Sequence, residues 1–123
     1  MYRAAIIGCG MIGGIYEEVA SSVTYSHGKA YSNQVQISEL AFVDRDPERA
    51  KKLAVKYKGS VYLSIQELLV EYCPDCISVC TTDDQHFPVL KEIMTNPGNV
   101  KVILVEKPVC SSPQELDELQ VLA

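Results

Sequence analysis

Gly8-Cys9-Gly10-Met11-Ile12-Gly13 sets three glycines at G-x-G-x-x-G spacing directly after the apolar run Ala4-Ala5-Ile6-Ile7. Gly8 permits a tight turn out of a strand, and Gly10, lacking a Cβ, lets a pyrophosphate approach the main chain. Gly13 lets the following helix pack closely on the sheet. The first N–H groups of that helix and its positive dipole end would face the phosphates, with Met11 and Ile12 along the same contact. Glycine-rich turns are common; the position directly after a buried-type strand is what makes this one a candidate for dinucleotide binding.

A second chemical position closes the next apolar run, Ile37 to Val43, where Asp44 follows. Its carboxylate could accept both hydroxyls of an adenosine ribose and would repel a 2′-phosphate, so NAD is expected over NADP. The competing role for Asp44 is that of an N-cap or turn residue. Arg45 could lie along the adenine face, accept a 2′-phosphate or remain solvated. A third position is Val105-Glu106-Lys107-Pro108, at the end of a fifth apolar run. Open α/β sheets bind ligands beyond the carboxyl ends of their strands, near the switch point. An ammonium at Lys107 could there lower the pKa of a substrate hydroxyl or pass a proton. The alternative is a solvated Glu106–Lys107 pair before a turn.

The elements that must position these groups alternate between apolar strands and helix-like segments, the pattern of a parallel sheet with helices on both faces. Strands are expected at about 2–7, 37–43, 60–63, 75–80 and 100–105. The last is nearly all apolar, as a strand covered on both faces should be. Ile15 to Tyr25 reads as an early helical turn and a Ser/Thr-rich loop, Ser21-Ser22-Val23-Thr24, with a helix over about 26–33. Asp46-Pro47 opens a helix that runs through Lys56, with Asp46 as N-cap and Pro47 at the first helical position. Ser64-Ile65-Gln66-Glu67 and Ser112-Pro113-Gln114-Glu115 are capping boxes ahead of two further helices. Another helix is expected over about 85–94, and Asn96-Pro97-Gly98-Asn99 is a turn. The fold class is a doubly wound, Rossmann-like α/β sheet with about five strands. A complete dinucleotide-binding sheet has six, so the reading expects the sixth strand and any further domain to lie outside this sequence.

Length and composition set limits on this reading. The 123 residues fit one domain, 47% hydrophobic and 22% charged. A net charge of −5 without a Lys/Arg block argues against nucleic acid. No apolar run approaches the about 18 residues of a membrane span. Met1 leads straight into the first strand without a leader segment, so a cytoplasmic location is expected. Of five cysteines, Cys73 and Cys76 form a C-x-x-C pair. That pair could serve redox chemistry or half a zinc site, but no second pair completes four ligands, so no metal is expected. The remaining reading is thiols packed as small hydrophobes in a reducing cytosol.

Together, the glycine loop, the stretch Val43-Asp44-Arg45-Asp46-Pro47-Glu48-Arg49-Ala50 and Glu106-Lys107-Pro108 resemble the Gfo/Idh/MocA family across essentially all 123 residues. The resemblance implies an N-terminal NAD(P)-binding domain of an oxidoreductase that acts on a secondary alcohol of a sugar, cyclitol or sugar derivative. It assigns Lys107 to the substrate hydroxyl beside the nicotinamide, as the catalytic group, and Glu106 to the nicotinamide ribose. Cys80-Thr81-Thr82-Asp83-Asp84-Gln85-His86 is similar to the family's Thr-Pro-Asn-x-x-His stretch, which lines the cofactor. Thr82 stands for its proline and Asp83 for its asparagine. His86 matches the motif histidine, against the alternative of a first-turn histidine satisfied by backbone groups. Ser26-His27-Gly28-Lys29-Ala30-Tyr31 resembles the segment that normally follows the glycine loop closely. An insertion over roughly 14–25 displaces it, which accounts for a Gly8–Asp44 interval longer than the usual ~20 residues. Family chemistry further requires a second α/β domain with an Asp/His pair, absent from this sequence. A homo-oligomer is expected for the longer parent. The alternative functions are a non-catalytic dinucleotide-binding or redox-sensing module, or a site for another nucleotide-like cofactor.

Overall fold

A computed structural model describes residues 1–16, 18 and 22–123. The part of the expected helical turn and Ser/Thr loop that falls on residues 17 and 19–21 lies outside the described residues. β1 (Tyr2–Ile7) leads to a short π-helical turn (Met11–Ile15), followed by α1 (His27–Ser32), β2 (Ile37–Val43) and α2 (Pro47–Tyr57). β3 (Ser60–Val61), α3 (Ile65–Glu67) with a π-helical continuation (Leu68–Tyr72), and β4 (Cys76–Val79) come next. α4 (Asp83–Thr95), β5 (Val102–Val105) and α5 (Pro113–Leu122) complete the order. The strands form one parallel sheet in the order β3-β2-β1-β4-β5, a Rossmann-like arrangement with helices on both faces.

Alternation along β1 divides the core into two layers. Ala4 and Ile6 point to the side that receives Leu53 and Tyr57 of α2, whereas Ala5 and Ile7 face Leu90 and Ile93 of α4. α2 starts where the sequence signals it. The Asp46 carboxylate accepts from the Glu48 N–H at 3.1 Å, Pro47 opens the helix, and Lys58 ends it with φ +56°. Its Ala50, Leu53, Ala54 and Tyr57 recur at helical spacing and are buried; Leu53 contributes about 2 kcal/mol by its burial. Both serine caps form, with Ser64 Oγ accepting from Glu67 N–H at 3.0 Å and Ser112 Oγ from Glu115 N–H at 3.2 Å, while each Glu carboxylate accepts from the N–H one residue before its cap.

Several boundaries differ from the sequence reading. β3 stops at Val61, and α4 begins at Asp83, two residues early. The larger departure is β5. Ile103 and Val105 pack toward the core, but Val102 and Leu104 are 54% and 53% exposed. They register against Cys76 and Ser78 on the α1 side of the sheet, and no described helix covers β5 there. Its uninterrupted hydrophobicity therefore does not correspond to two covered faces in this chain. Among the described residues, no helix is long and apolar enough to cross a membrane.

Candidate cofactor-binding cleft

The sheet reverses its strand order between β1 and β4, and the carboxyl ends of β1, β2 and β4 open there into a cleft of about 680 Å³. The three motif glycines face three different demands. Gly8 has φ +98°, and a Cβ on it would lie 2.5 Å from the Cys80 carbonyl, so only glycine fits between β1 and β4. A Cβ on Gly13 would strike the Gly8 carbonyl oxygen, which makes that glycine the condition for folding the loop back on itself. Gly10 is different. Its φ of −89° suits any residue, and a Cβ would meet nothing within 4 Å. The protein itself does not require glycine there, so the bare main chain is a cradle that a side chain would fill.

After Gly10 the chain makes a single π-helical turn, in which both Gly14 N–H and Ile15 N–H donate to the Gly10 carbonyl at 3.2 Å. The expected helix is thus only five residues long, interrupted at Gly14, whose carbonyl accepts from Lys56 Nζ and the Tyr57 hydroxyl. So short a turn carries little dipole, and an anion at Gly10 would depend on individual N–H groups rather than a helix field. Met11 and Ile12 are exposed on this turn. The chain then returns: a Cβ on Gly28 would lie 2.9 Å from Gly13 O, so α1 packs directly against the glycine loop.

Asp44 stands beside the glycine loop, at the end of β2. Its carboxylate accepts from Cys9 N–H at 2.7 Å and from Asp46 N–H at 2.8 Å, tying the end of β2 to the glycine loop. Two of the four lone-pair directions of a carboxylate remain for a ligand's hydroxyls. Arg45 and Arg49 are exposed and also line the cleft. On the β4 side stand Cys80, Thr81 and Thr82. The Thr81 hydroxyl is buried and has no hydrogen-bond partner among the described residues. An unpaired buried hydroxyl at a cleft wall costs stability unless something enters to meet it. Thr82 instead donates to Asp84 at 2.6 Å, which holds that carboxyl below its ordinary range. Burial, and then the Asp44 charge, push the Cys9 thiol up to about 12; burial, and then Glu106, do the same to Cys80. Both thiols stay protonated and act as packing groups. No group of three or more metal-ligating side chains occurs among the described residues.

His86, Glu106 and Lys107 stand behind or beside these walls and are not part of the cleft's lining. His86 is 1% exposed, with Nδ1 at the Pro108 carbonyl and Nε2 3.2 Å from the Thr81 carbonyl. It ties the loop after β4 to the loop after β5 and presents neither nitrogen to the cleft. Lys107 is exposed and has no ion pair among the described residues. The Glu106 carboxylate accepts from His27 Nε2 at 2.8 Å. Arg49, Ser64 and Gln85 line the cleft without having been singled out from sequence. Of these, Arg49 carried a signal, one helical turn beyond Arg45 on the first turn of α2. Ser64 and Gln85 reach the cleft only through tertiary packing.

The NAD-binding Rossmann-fold model of the Gfo/Idh/MocA oxidoreductases matches residues 2–123. The chain belongs to this family. Among solved structures, it is similar to GenD2 of gentamicin A biosynthesis in complex with NAD, at 24% identity and a TM-score of 0.80. That match covers 99% of this chain and 31% of GenD2. It is also similar to the UDP-N-acetylglucosamine 3-dehydrogenase GnnA from Acidithiobacillus ferrooxidans, at 27% identity and a TM-score of 0.76 over 99% of this chain and 34% of that one. The 3-ketoreductase KijD10 from Actinomadura kijaniata, in complex with NADP and TDP-benzene, shares the fold at 20% identity and a TM-score of 0.76, over 99% of this chain and 34% of KijD10. The chain thus spans about a third of the length of these structures. No curated protein matches it. Family membership makes NAD(P) the cofactor class, while these relatives include both an NAD and an NADP complex.

Proposed function

We propose that residues 1–123 are the cofactor-binding domain of a longer oxidoreductase that moves a hydride between NAD and a secondary alcohol of a sugar, cyclitol or sugar derivative. The observation that carries this reading is Gly10: a glycine unneeded by its own backbone and packing, in the lining of a cleft where the neighbouring Cys9 N–H presets the Asp44 carboxylate. The residues fit the cofactor. Main-chain N–H groups at Gly10, Met11 and Ile12 would hold the pyrophosphate, Asp44 the adenosine ribose, and the unpaired Thr81 hydroxyl a further polar group. Cys80 and Thr82 complete that wall, and His86 fixes it from behind. Glu106 is assigned to the nicotinamide-side ribose. Lys107, exposed and without an ion-pair partner among the described residues, is assigned to the substrate hydroxyl, where an ammonium stabilises developing negative charge on oxygen. When bound, the nicotinamide supplies the hydride acceptor; the hydroxyl proton must pass to a base. The UDP-N-acetylglucosamine 3-dehydrogenase named above supports this substrate class.

Titration of the 123-residue chain with NAD and NADP tests the cofactor half. NAD should bind more tightly, and Asp44→Ala should narrow the gap. Tighter NADP binding by the unmodified chain would reverse the assignment, with Arg45 and Arg49 as its cause. For the catalytic half, Lys107→Ala in the longer parent should cut turnover far more than NAD affinity. A parallel loss of both would make Lys107 a cofactor ligand.

A further inference from the structure

Glu106 is an exposed carboxylate at the end of the edge strand β5, yet it is not free to sample rotamers. His27 from α1 stands between it and the sheet with a side chain only 13% exposed. Its Nε2 lies 2.8 Å from Glu106 Oε1, and its Nδ1 lies 2.8 Å from Ser78 Oγ on β4. Ser78 is fully buried, and the Tyr31 hydroxyl approaches the same Oγ at 2.8 Å. Tyr31 is one helical turn from His27, which puts both on the face of α1 that meets the sheet.

For a neutral His27 imidazole, the direction of every bond in this network follows from donor capacity. An ionised carboxylate only accepts, so Nε2 of His27 carries the ring proton. Nδ1 of the neutral ring then has a lone pair, and the Ser78 hydroxyl must donate to it. Having used its one proton, Ser78 can only accept from Tyr31. Burial pushes the Tyr31 phenol up to about 12, so it keeps the proton it donates. The order Tyr31 → Ser78 → His27 → Glu106 leaves each contact with one proton. The Ser78 end of this network is buried, where satisfied polar contacts hold their groups rigidly, while the Glu106 end is 46% exposed.

We infer that His27 is a positioning residue: braced by Ser78 and Tyr31, it presets the Glu106 carboxylate to receive the nicotinamide-side ribose of the cofactor. The inference rests on the cofactor reading above and adds to it a contact between residues 79 positions apart. It also gives a reason for α1 to be docked tightly on the glycine loop despite the inserted segment. The docking brings His27 under the end of β5.

The test compares NAD with ADP, which lacks the nicotinamide ribose, as calorimetric titrants of the 123-residue chain. His27→Ala should weaken NAD about tenfold while leaving ADP within about twofold, because only the nicotinamide half meets Glu106. Tyr31→Phe, a milder change that keeps both His27 and Glu106, should shift NAD in the same direction by a smaller factor. Long-range ¹H–¹⁵N spectra of the imidazoles at pH 8 should show His27 as the Nε2–H tautomer. Equal losses for both ligands would indicate a purely structural histidine and overturn the role. Unchanged NAD affinity in both variants, or an Nδ1–H tautomer, would overturn it as well. Failure of the unmodified chain to bind either ligand would overturn the cofactor reading, and this role with it.

Discussion

Substituting Gly10 and Gly8 separately should divide binding from folding. At Gly8 the positive φ of +98° costs a side chain about 1–2 kcal/mol. The Cβ would also sit 2.5 Å from the Cys80 carbonyl and 2.6 Å from Thr81 N, main-chain atoms that cannot swing away. Overpacking of this kind costs about 1–3 kcal/mol more. For a chain of this length each kcal/mol moves Tm by roughly 3–5 °C. Gly8→Ala should therefore lower Tm by about 6–25 °C. Gly10→Val meets open space at an ordinary φ of −89°, and restricting the unfolded chain there stabilises by about 0.4–1 kcal/mol. Its Tm should stay within about 4 °C of the unmodified chain. Its two methyls nonetheless occupy the place a pyrophosphate needs, so NAD affinity should fall at least ~100-fold, about 2.7 kcal/mol. Thermal melts by circular dichroism and calorimetric titration give both numbers. A folded Gly10→Val variant with full NAD affinity would refute the reasoning, as would one that melts as low as Gly8→Ala.

Two further outcomes follow from titratable groups. Asp75 accepts from the Arg3 N–H at 2.9 Å and from Lys101 at 3.3 Å, linking the starts of β1 and β5, and its carboxyl is held below the ordinary 3.8. A depressed carboxyl stabilises the fold above its unfolded pKa, and that contribution is lost as pH falls through the folded one. Urea midpoints should therefore drop more steeply below about pH 4 for the unmodified chain than for Asp75→Asn, and superimposable acid limbs would count against it. With thiols near 12, Cys9 and Cys80 should react with iodoacetamide at pH 8 more than ~100-fold slower than an ordinary exposed thiol, as mass spectrometry of digests would show. Comparable labelling of either would contradict its burial.

Much of the fold was legible because its signals are local. Alternation in Ala4-Ala5-Ile6-Ile7 and the Asp46-Pro47 start placed β1 and α2 within a residue of their observed bounds. The glycine pattern and Asp44 both fall in the lining of the cleft. The π-helical turn after Gly10 was not legible, because it depends on Gly14 being captured by Lys56 and Tyr57 more than forty positions away. Distance in sequence also concealed the His27–Glu106 contact. β5 shows the converse error: the nearly all-apolar run 100–105 read as a strand covered twice, whereas within β5 only alternate residues, Ile103 and Val105, are even partly buried. His86 matched a cofactor motif by position, but its place between two carbonyls became visible only once the loops after β4 and β5 were brought together.

The central claim, that this cleft holds NAD with its pyrophosphate on Gly10, is tested most directly by amide NMR of the 123-residue chain titrated with NAD. The account predicts saturable shifts concentrated at Gly8, Cys9, Gly10, Met11, Asp44 and Thr81, and their absence in Gly10→Val. A shallower depression of about 460 Å³ between Gln66, Phe87 and Lys91 adjoins the cleft at Pro88 and Glu92 but has no glycine-loop residue in its lining. Shifts confined to that depression, or none at saturating NAD, would contradict the account.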